Sequence, residues 1–379
     1  MPVGPHSSAA PTRSAARRPA AVAFPELEGV YRQAGRAFVV TYQGWWLDLT
    51  SQQIRQLQPF GGTDFGYGPG WQALTPLQGR LHFDVSRTGT ATRVTGTGPG
   101  GVAVAASRLP TIARDVRIRS GSAVLAGTLT VPAGAGPHPG IVIVQGSGAL
   151  DRHFESISQG IYLSLGFAVL AYDKRGVGAS TGQFPGELAT TTSIGIQARD
   201  AAAAARFLMT QPGIDARQVG FDGNSQGGWV VPLAAEHVPG LRFAILIASP
   251  AVTTNQQGLY AAFSGGSQYD PTQSARAVDA AVRSATGGYD PAPALARLRI
   301  PAIWIYGQLD RQVPVRICVQ NLARYHNPLW AVHVLPGGSH GLIQTRHGLN
   351  TELPAATRFA GNYLAVIRAW VARNVTFPS

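Results

Sequence analysis

A single cysteine (Cys318), two methionines and a single lysine (Lys174) are spread through 379 residues. One thiol excludes an internal disulfide and leaves no thiolate cluster for zinc, so the fold must hold by packing. Cys318 falls in a stretch read as a helix, which points to a buried, inert side chain. With one lysine, all but one of the 31 basic residues are arginine; acids number only 19, which leaves a formal net charge of +12. The arginines are scattered, and the densest group is Arg13, Arg17 and Arg18, so no basic stripe tracks a phosphate backbone and no nucleic-acid partner is expected. A general attraction to anionic surfaces or substrates is the milder consequence. No run reaches the roughly 18 apolar residues of a spanning helix, so no membrane span is expected either. What the chain does have is apolar content: 45% hydrophobic residues, enough for a substantial core in one large domain plus something smaller.

Residues 1–25 are rich in Ala, Pro, Ser and Arg, have no acid before Glu26 and show no periodicity, and read as a disordered leader. Pro19 and Pro25 leave only Ala20 to Phe24 as an apolar core, too short for an export signal, which is therefore absent or already removed. Residues 26–110 change to short alternating or aromatic runs punctuated by glycine, such as Phe38-Val39-Val40-Thr41-Tyr42 and Arg80-Leu81-His82-Phe83-Asp84-Val85, the mark of a small β-rich domain. Its Trp45, Trp46, Tyr67 and Trp71 serve as aromatic core or as a binding surface for a sugar or polymer. Residues 111–379 form the larger unit. A hairpin over Val116-Ile118 and Val124-Pro132 precedes the unbroken apolar strand Gly140-Ile141-Val142-Ile143-Val144. Strands and helices then alternate, which predicts a doubly wound, mostly parallel sheet with helices on both faces. The alternation lapses over about 251–298, read as a short lid insertion above the carboxyl ends of the strands, and resumes until a final helix from about Ala355 to Arg373.

Gly223-Asn224-Ser225-Gln226-Gly227 sits where an apolar strand turns into a helix, the context in which Gly-x-Ser-x-Gly presents a strained, exposed serine. A serine hydroxyl needs a base, and the base needs an orienting acid. Downstream, Asp310 follows the strand Ala302-Tyr306 and His340 follows the strand Trp330-Leu335, so both reach the edge of the sheet that carries Ser225, in the chain order Ser, Asp, His. The backbone N–H groups of Gln226, at a helix N-terminus, and of Ser147, in the turn Gly146-Ser147-Gly148, are placed to hold a developing oxyanion. The three catalytic candidates are thus Ser225, Asp310 and His340.

On these residues the chain from about Asp115 onward resembles the α/β-hydrolases, and among them bacterial esterases related to dienelactone hydrolases and prolyl-oligopeptidase-type enzymes. The matching segments are Gly146-Ser147-Gly148 with Asp151-Arg152, Asp173-Lys174-Arg175-Gly176-Val177-Gly178-Ala179-Ser180, the turn around Ser225, Gly307-x-x-Asp310-x-x-Val313-Pro314 and Gly338-Ser339-His340-Gly341. The chain departs from its relatives at Gln145, where they usually carry His, and at Asn224 and Gln226. These positions bear on the substrate and not on proton transfer. The resemblance implies an α/β-hydrolase fold and a serine esterase that forms an acyl-enzyme, needs no cofactor or metal, and takes a small-molecule or polymeric ester. A peptidase, amidase or thioesterase using the same triad, and a non-catalytic binding protein whose β-rich domain holds a polymer, are the alternatives. Gly148, Arg152 and Trp229 are candidate substrate contacts. Arg152 also reads as half of a loop-stabilising pair with Asp151, Trp229 as packing, and Asp173 with Arg175 as a structural ion pair.

Overall fold

The computed structural model of the protein describes residues 23–271 and 273–377. The expected leader therefore lies outside the described residues except for its last three, of which Phe24 and Pro25 already belong to a helical turn, α1 (Phe24–Leu27).

Eight strands follow: β1 (Gly29–Gln33), β2 (Arg36–Val40), β3 (Trp45–Asp48), β4 (Ile54–Gly61), β5 (Asp64–Tyr67), β6 (Gly79–Val85), β7 (Ala91–Gly98) and β8 (Val102–Arg108). Each pairs antiparallel with the next, and β8 returns to β1 with Tyr31 opposite Arg108, closing a barrel that leaves no free edge. The period-two pattern explains which way the side chains go. In β6, Leu81 and Phe83 are buried while Arg80, His82 and Asp84 are exposed, and in β8 Val104 and Ala106 are the buried pair. The interior is filled: Phe38 stacks on Trp46 at 4.8 Å and Phe65 meets Phe83 edge-on at 5.6 Å. Strands β1, β4 and β5 carry no readable alternation in the sequence. In β4 the pattern is broken by buried Arg55 and by Pro59, next to a register shift, so its strand state comes from its neighbours and not from local propensity.

The larger unit comprises β9 (Thr111–Ser120), β10 (Ala123–Pro132), β11 (His138–Val144), α2 (Ser156–Leu165), β12 (Ala168–Tyr172), α3 (Thr191–Met209), β13 (Ile214–Asn224), α4 (Gly227–Ala235), β14 (Phe243–Ile247), α5 (Thr254–Phe263), α6 (Ala275–Ser284), α7 (Ala292–Arg297), β15 (Ala302–Gly307), α8 (Val315–Ala323), β16 (Trp330–Leu335) and α9 (Tyr363–Asn374). The eight-stranded sheet runs β16-β15-β14-β13-β11-β12-β10-β9, with β11 to β16 parallel and the β9–β10 hairpin antiparallel at one edge. Every residue of β11 is buried because both faces are covered: Val142 and Val144 face a core shared with α3 and α4, Ile141 and Ile143 one shared with α2 and α9. This is the α/β-hydrolase architecture.

The barrel packs on the α2 and α9 side, where Val30, Val39, Leu47 and Ile54 join the core that holds Ile143. A second seam is polar. The N–H of Ile54 and the guanidinium of Arg55 both donate to the carbonyl of Thr357, at 2.9 and 2.7 Å, and the N–H of Trp71 donates to that of Ala356 at 2.6 Å. That seam corrects the expected final helix from about Ala355. The chain makes a 3-10 turn over Asn350–Ala355, runs extended beside the barrel, turns at Gly361 (φ +52°) and becomes helical only at Tyr363. Cys318 is fully buried as expected, and burial pushes its thiol up to about 12. No described helix is long and apolar enough to cross a membrane.

Candidate active site

Strand β13 ends at Asn224 and α4 begins at Gly227, so Ser225 occupies the bend between them with φ at +48°, a left-handed conformation that costs a non-glycine residue about 1–2 kcal/mol. The bend needs its glycines. A Cβ on Gly227 would sit 2.5 Å from the carbonyl oxygen of Val144, and one on Gly223 would sit 2.8 Å from Cγ2 of Val231. The N–H of Ser225 donates to the carbonyl of Ile247 at 2.9 Å, which ties the bend to β14.

The loops after β15 and β16 bring Asp310 and His340 to the same place. His340 Nε2 lies 3.0 Å from Ser225 Oγ, and Nδ1 lies 2.8 Å from Asp310 Oδ2. The Asp310 side chain is fully buried, and its Oδ1 accepts the N–H groups of Gln312 at 2.8 Å and Val313 at 2.9 Å. Burial opposes charge on His340, but the charge and hydrogen bond of Asp310, helped by Glu155, outweigh it and hold the imidazole above its ordinary value. With Nδ1–H donating to Asp310, Nε2 is free to accept the Ser225 proton.

Opposite the serine lies the turn after β11. A Cβ on Gly146 would stand 3.4 Å from Ser225 Cβ, so Ser147 begins beside the hydroxyl. Among the described residues neither the Ser147 nor the Gln226 N–H has a hydrogen-bond acceptor. The turn is anchored from behind. Gln145 Nε2 donates to the carbonyls of Asp151 at 3.1 Å and Tyr172 at 2.6 Å, which gives a structural use to one departure from the family pattern. Buried Lys174 donates to the carbonyl of Gly146, to that of Gly148 at 3.0 Å and to Gln226 Oε1 at 3.4 Å, linking the turn to the serine bend. Burial pushes its ammonium down to about 8, against the pull of Glu187 and Glu155.

None of the three expected substrate contacts is among the described residues that line the cavity at Ser225. Arg152 faces away from the cavity: its guanidinium grips Asp173 through two bonds, at 3.0 and 2.9 Å, and reaches Asp115 at 3.2 Å. Nor does it pair with Asp151 as expected. The expected Asp173–Arg175 pair is also replaced, since Arg175 bonds Asp200 at 3.0 and 2.5 Å. Trp229 is buried in the helix-covered core and donates to the carbonyl of Val252 at 2.8 Å, and Gly148 offers its carbonyl to Lys174. What opens onto Ser225 is a cavity of about 740 Å³ lined in part by Trp45, Trp71, Glu155, Phe359 and Tyr363. No described lining residue belongs to 251–298. That segment instead folds as α5 to α7 and braces the acid loop, with Tyr260 donating to the carbonyl of Asp310 at 2.8 Å. The barrel supplies the wall expected of a lid. Glu155 was not singled out from the sequence. Burial pushes its carboxyl up to about 7, against the pull of the Gly146 N–H, Lys174 and His340. Nothing in the local sequence distinguishes it from any loop acid. Trp45 had a signal, because in Trp45-Trp46 one ring must face the barrel interior and the other must face out.

The sequence profile of the prolyl oligopeptidase family matches residues 153–366. No curated protein matches the chain in sequence. Among solved structures, DcsB in complex with a substrate analogue superposes with a TM-score of 0.50 at 15% identity, over 70% of this chain and 100% of that one. An esterase of Pyrococcus furiosus gives 0.49 at 16% identity, over 70% and 92%. A dienelactone hydrolase of Anabaena variabilis gives 0.46 at 17% identity, over 70% and 99%.

Proposed function

Because this chain belongs to the prolyl oligopeptidase family, and is a serine hydrolase of the α/β-hydrolase fold, we propose that it cleaves carboxylic esters through an acyl-enzyme built on Ser225. The observation that carries the reading is the continuous set of contacts from Ser225 through His340 to Asp310, opening into a walled cavity. Ser225 Oγ attacks the carbonyl while His340 Nε2 takes its proton and delivers it to the leaving alcohol. Asp310 keeps the imidazole in the tautomer that can accept, and stabilises it once charged. The N–H groups of Ser147 and Gln226 hold the oxyanion, each worth about 3 kcal/mol in the transition state. Water deprotonated by His340 then releases the acid. The division into a β-rich domain of residues 26–110 and a catalytic domain of residues 111–379 belongs to the same reading, with the barrel as the cover over the site.

Peptide-bond cleavage by the same residues is the second reading, favoured by the family name. The leaving group separates them. Matched ester and anilide substrates with one acyl group are expected to differ by several orders of magnitude in kcat/KM in favour of the ester, after allowance for their uncatalysed rates. Preference for the anilide would exchange the two readings.

Lys174 gives this mechanism a second test. Lys174→Met keeps most of the stem and removes the donors that tie the Gly146 turn to Gln226. A donor pair displaced by about 1 Å costs on the order of a hundredfold, so kcat is expected to fall by about that factor with KM little changed. An undiminished kcat in a folded variant would mean that the turn holds its own shape.

A further inference from the structure

The barrel contributes more than a lid. Trp45 and Trp71 stand edge to face, with ring centroids 5.1 Å apart and planes at 88°, and both line the cavity at Ser225. The main chain that carries them is fixed: the backbone N–H of Trp45 donates to Thr41 Oγ1 at 3.0 Å, and the backbone N–H of Trp71 to the carbonyl of Ala356. Phe359 and Tyr363, tilted against each other at 5.1 Å, line the same cavity from the other unit. Such a set offers ring faces and edges to another ring at no cost in ordering.

The charges around the cavity are as telling. Despite a net charge of +12, no arginine or lysine is found among its described lining residues, and Glu155 is its only acid beyond the Ser225–His340–Asp310 set. Lys174 lies close by, but its ammonium is committed to three oxygens. A carboxylate brought in with a substrate would lose its water, find no cation, and stand near Glu155.

Resting on the assignment of Ser225 as nucleophile, we propose that the cavity selects uncharged, ring-bearing esters, and that Trp45 and Trp71 of the barrel are the residues that make the selection. The surplus positive charge of the surface plays no part in recognition at the site.

The test uses the full-length protein and four esters: methyl acetate, methyl phenylacetate, benzyl acetate and 4-carboxybenzyl acetate. Wild type is expected to favour at least one ring-bearing neutral ester over methyl acetate by at least about tenfold in kcat/KM, as a filled apolar pocket allows. It is expected to disfavour the carboxylated ester against benzyl acetate by at least about a hundredfold, the scale of a buried charge without a partner. Trp45→Ala and Trp71→Ala should each cut the ring preference by about tenfold. Because that preference is a ratio of rates for one enzyme sample, partial loss of folded protein does not affect it. Equal turnover of the neutral and carboxylated esters by wild type would overturn the charge selection even if neither variant folds. A ring preference that survives both truncations would overturn the role of the tryptophans. A fluorophosphonate reagent separates these results from failure of the underlying assignment: if it labels wild type at Ser225, the nucleophile stands while the specificity falls, and if it does not, both fall.

Discussion

Ser225→Ala is expected to lower kcat by about a million-fold, equivalent to about 8 kcal/mol of transition-state stabilisation, while leaving the fold intact. The size follows from what one oxygen does here. Without Oγ there is no acyl-enzyme, and His340 has nothing 3.0 Å away to deprotonate except water that no residue positions for attack. What survives is the binding cavity and the two oxyanion donors, which alone retain a small acceleration over water. The backbone should not respond, since alanine at φ +48° carries the same left-handed strain as serine. Ser225→Gly makes a useful companion: it should be equally inactive and more stable by about 1 kcal/mol, less the entropy glycine loses on folding. Hydrolysis of the preferred ester within tenfold of wild type by either variant would remove Ser225 from the reaction.

Asp310→Asn is expected to cost about ten-thousandfold in kcat, and the reason is the tautomer of His340. Asp310 Oδ1 accepts two backbone N–H groups, from Gln312 and Val313, so the amide oxygen of asparagine must take that position. The amide nitrogen then falls where Oδ2 was, 2.8 Å from His340 Nδ1, and points a hydrogen at it. Only the imidazole with its proton on Nε2 fits that partner, and such an imidazole cannot accept a proton from Ser225. The pH profile should move as well. In wild type, His340 is held above its ordinary value, so activity is lost as pH falls through that raised value, where the imidazole becomes charged. In Asp310→Asn the largest raising influence is gone while burial still lowers, so the acid limb should shift to lower pH. Glu155→Gln removes a smaller raising influence and should shift the limb the same way, by less. An acid limb that stays in place in Asp310→Asn, measured on kcat/KM, would mean that another group controls it.

The parts of this site that were legible in the sequence are those set by neighbours along the chain. The bend at Ser225 is permitted by Gly223 and Gly227, at positions where the surroundings leave no room for a Cβ. Asp310 and His340 each follow an apolar strand by a few residues, and parallel strands deliver their carboxyl ends to one rim. The charged pairs are less legible, for the same reason turned around. Sequence proximity pairs Asp173 with Arg175, yet Asp173 bonds Arg152, 21 residues earlier, while Arg175 turns to Asp200. Long side chains take whichever partner the packed loops present, and proximity along the chain says little about that.

Composition, strand periodicity, the glycine turns and the chain order of serine, acid and histidine thus determined the architecture and the candidate site residues, because each is written in a few consecutive positions. Tertiary structure alone decided what covers the serine. The barrel wall meets the 356–359 segment some three hundred residues away, and that contact brings Trp45 and Trp71 to the cavity at Ser225 while the segment over 251–298 braces the acid loop instead. Which surfaces meet depends on the complementarity of two finished faces, and no local pattern carries that information.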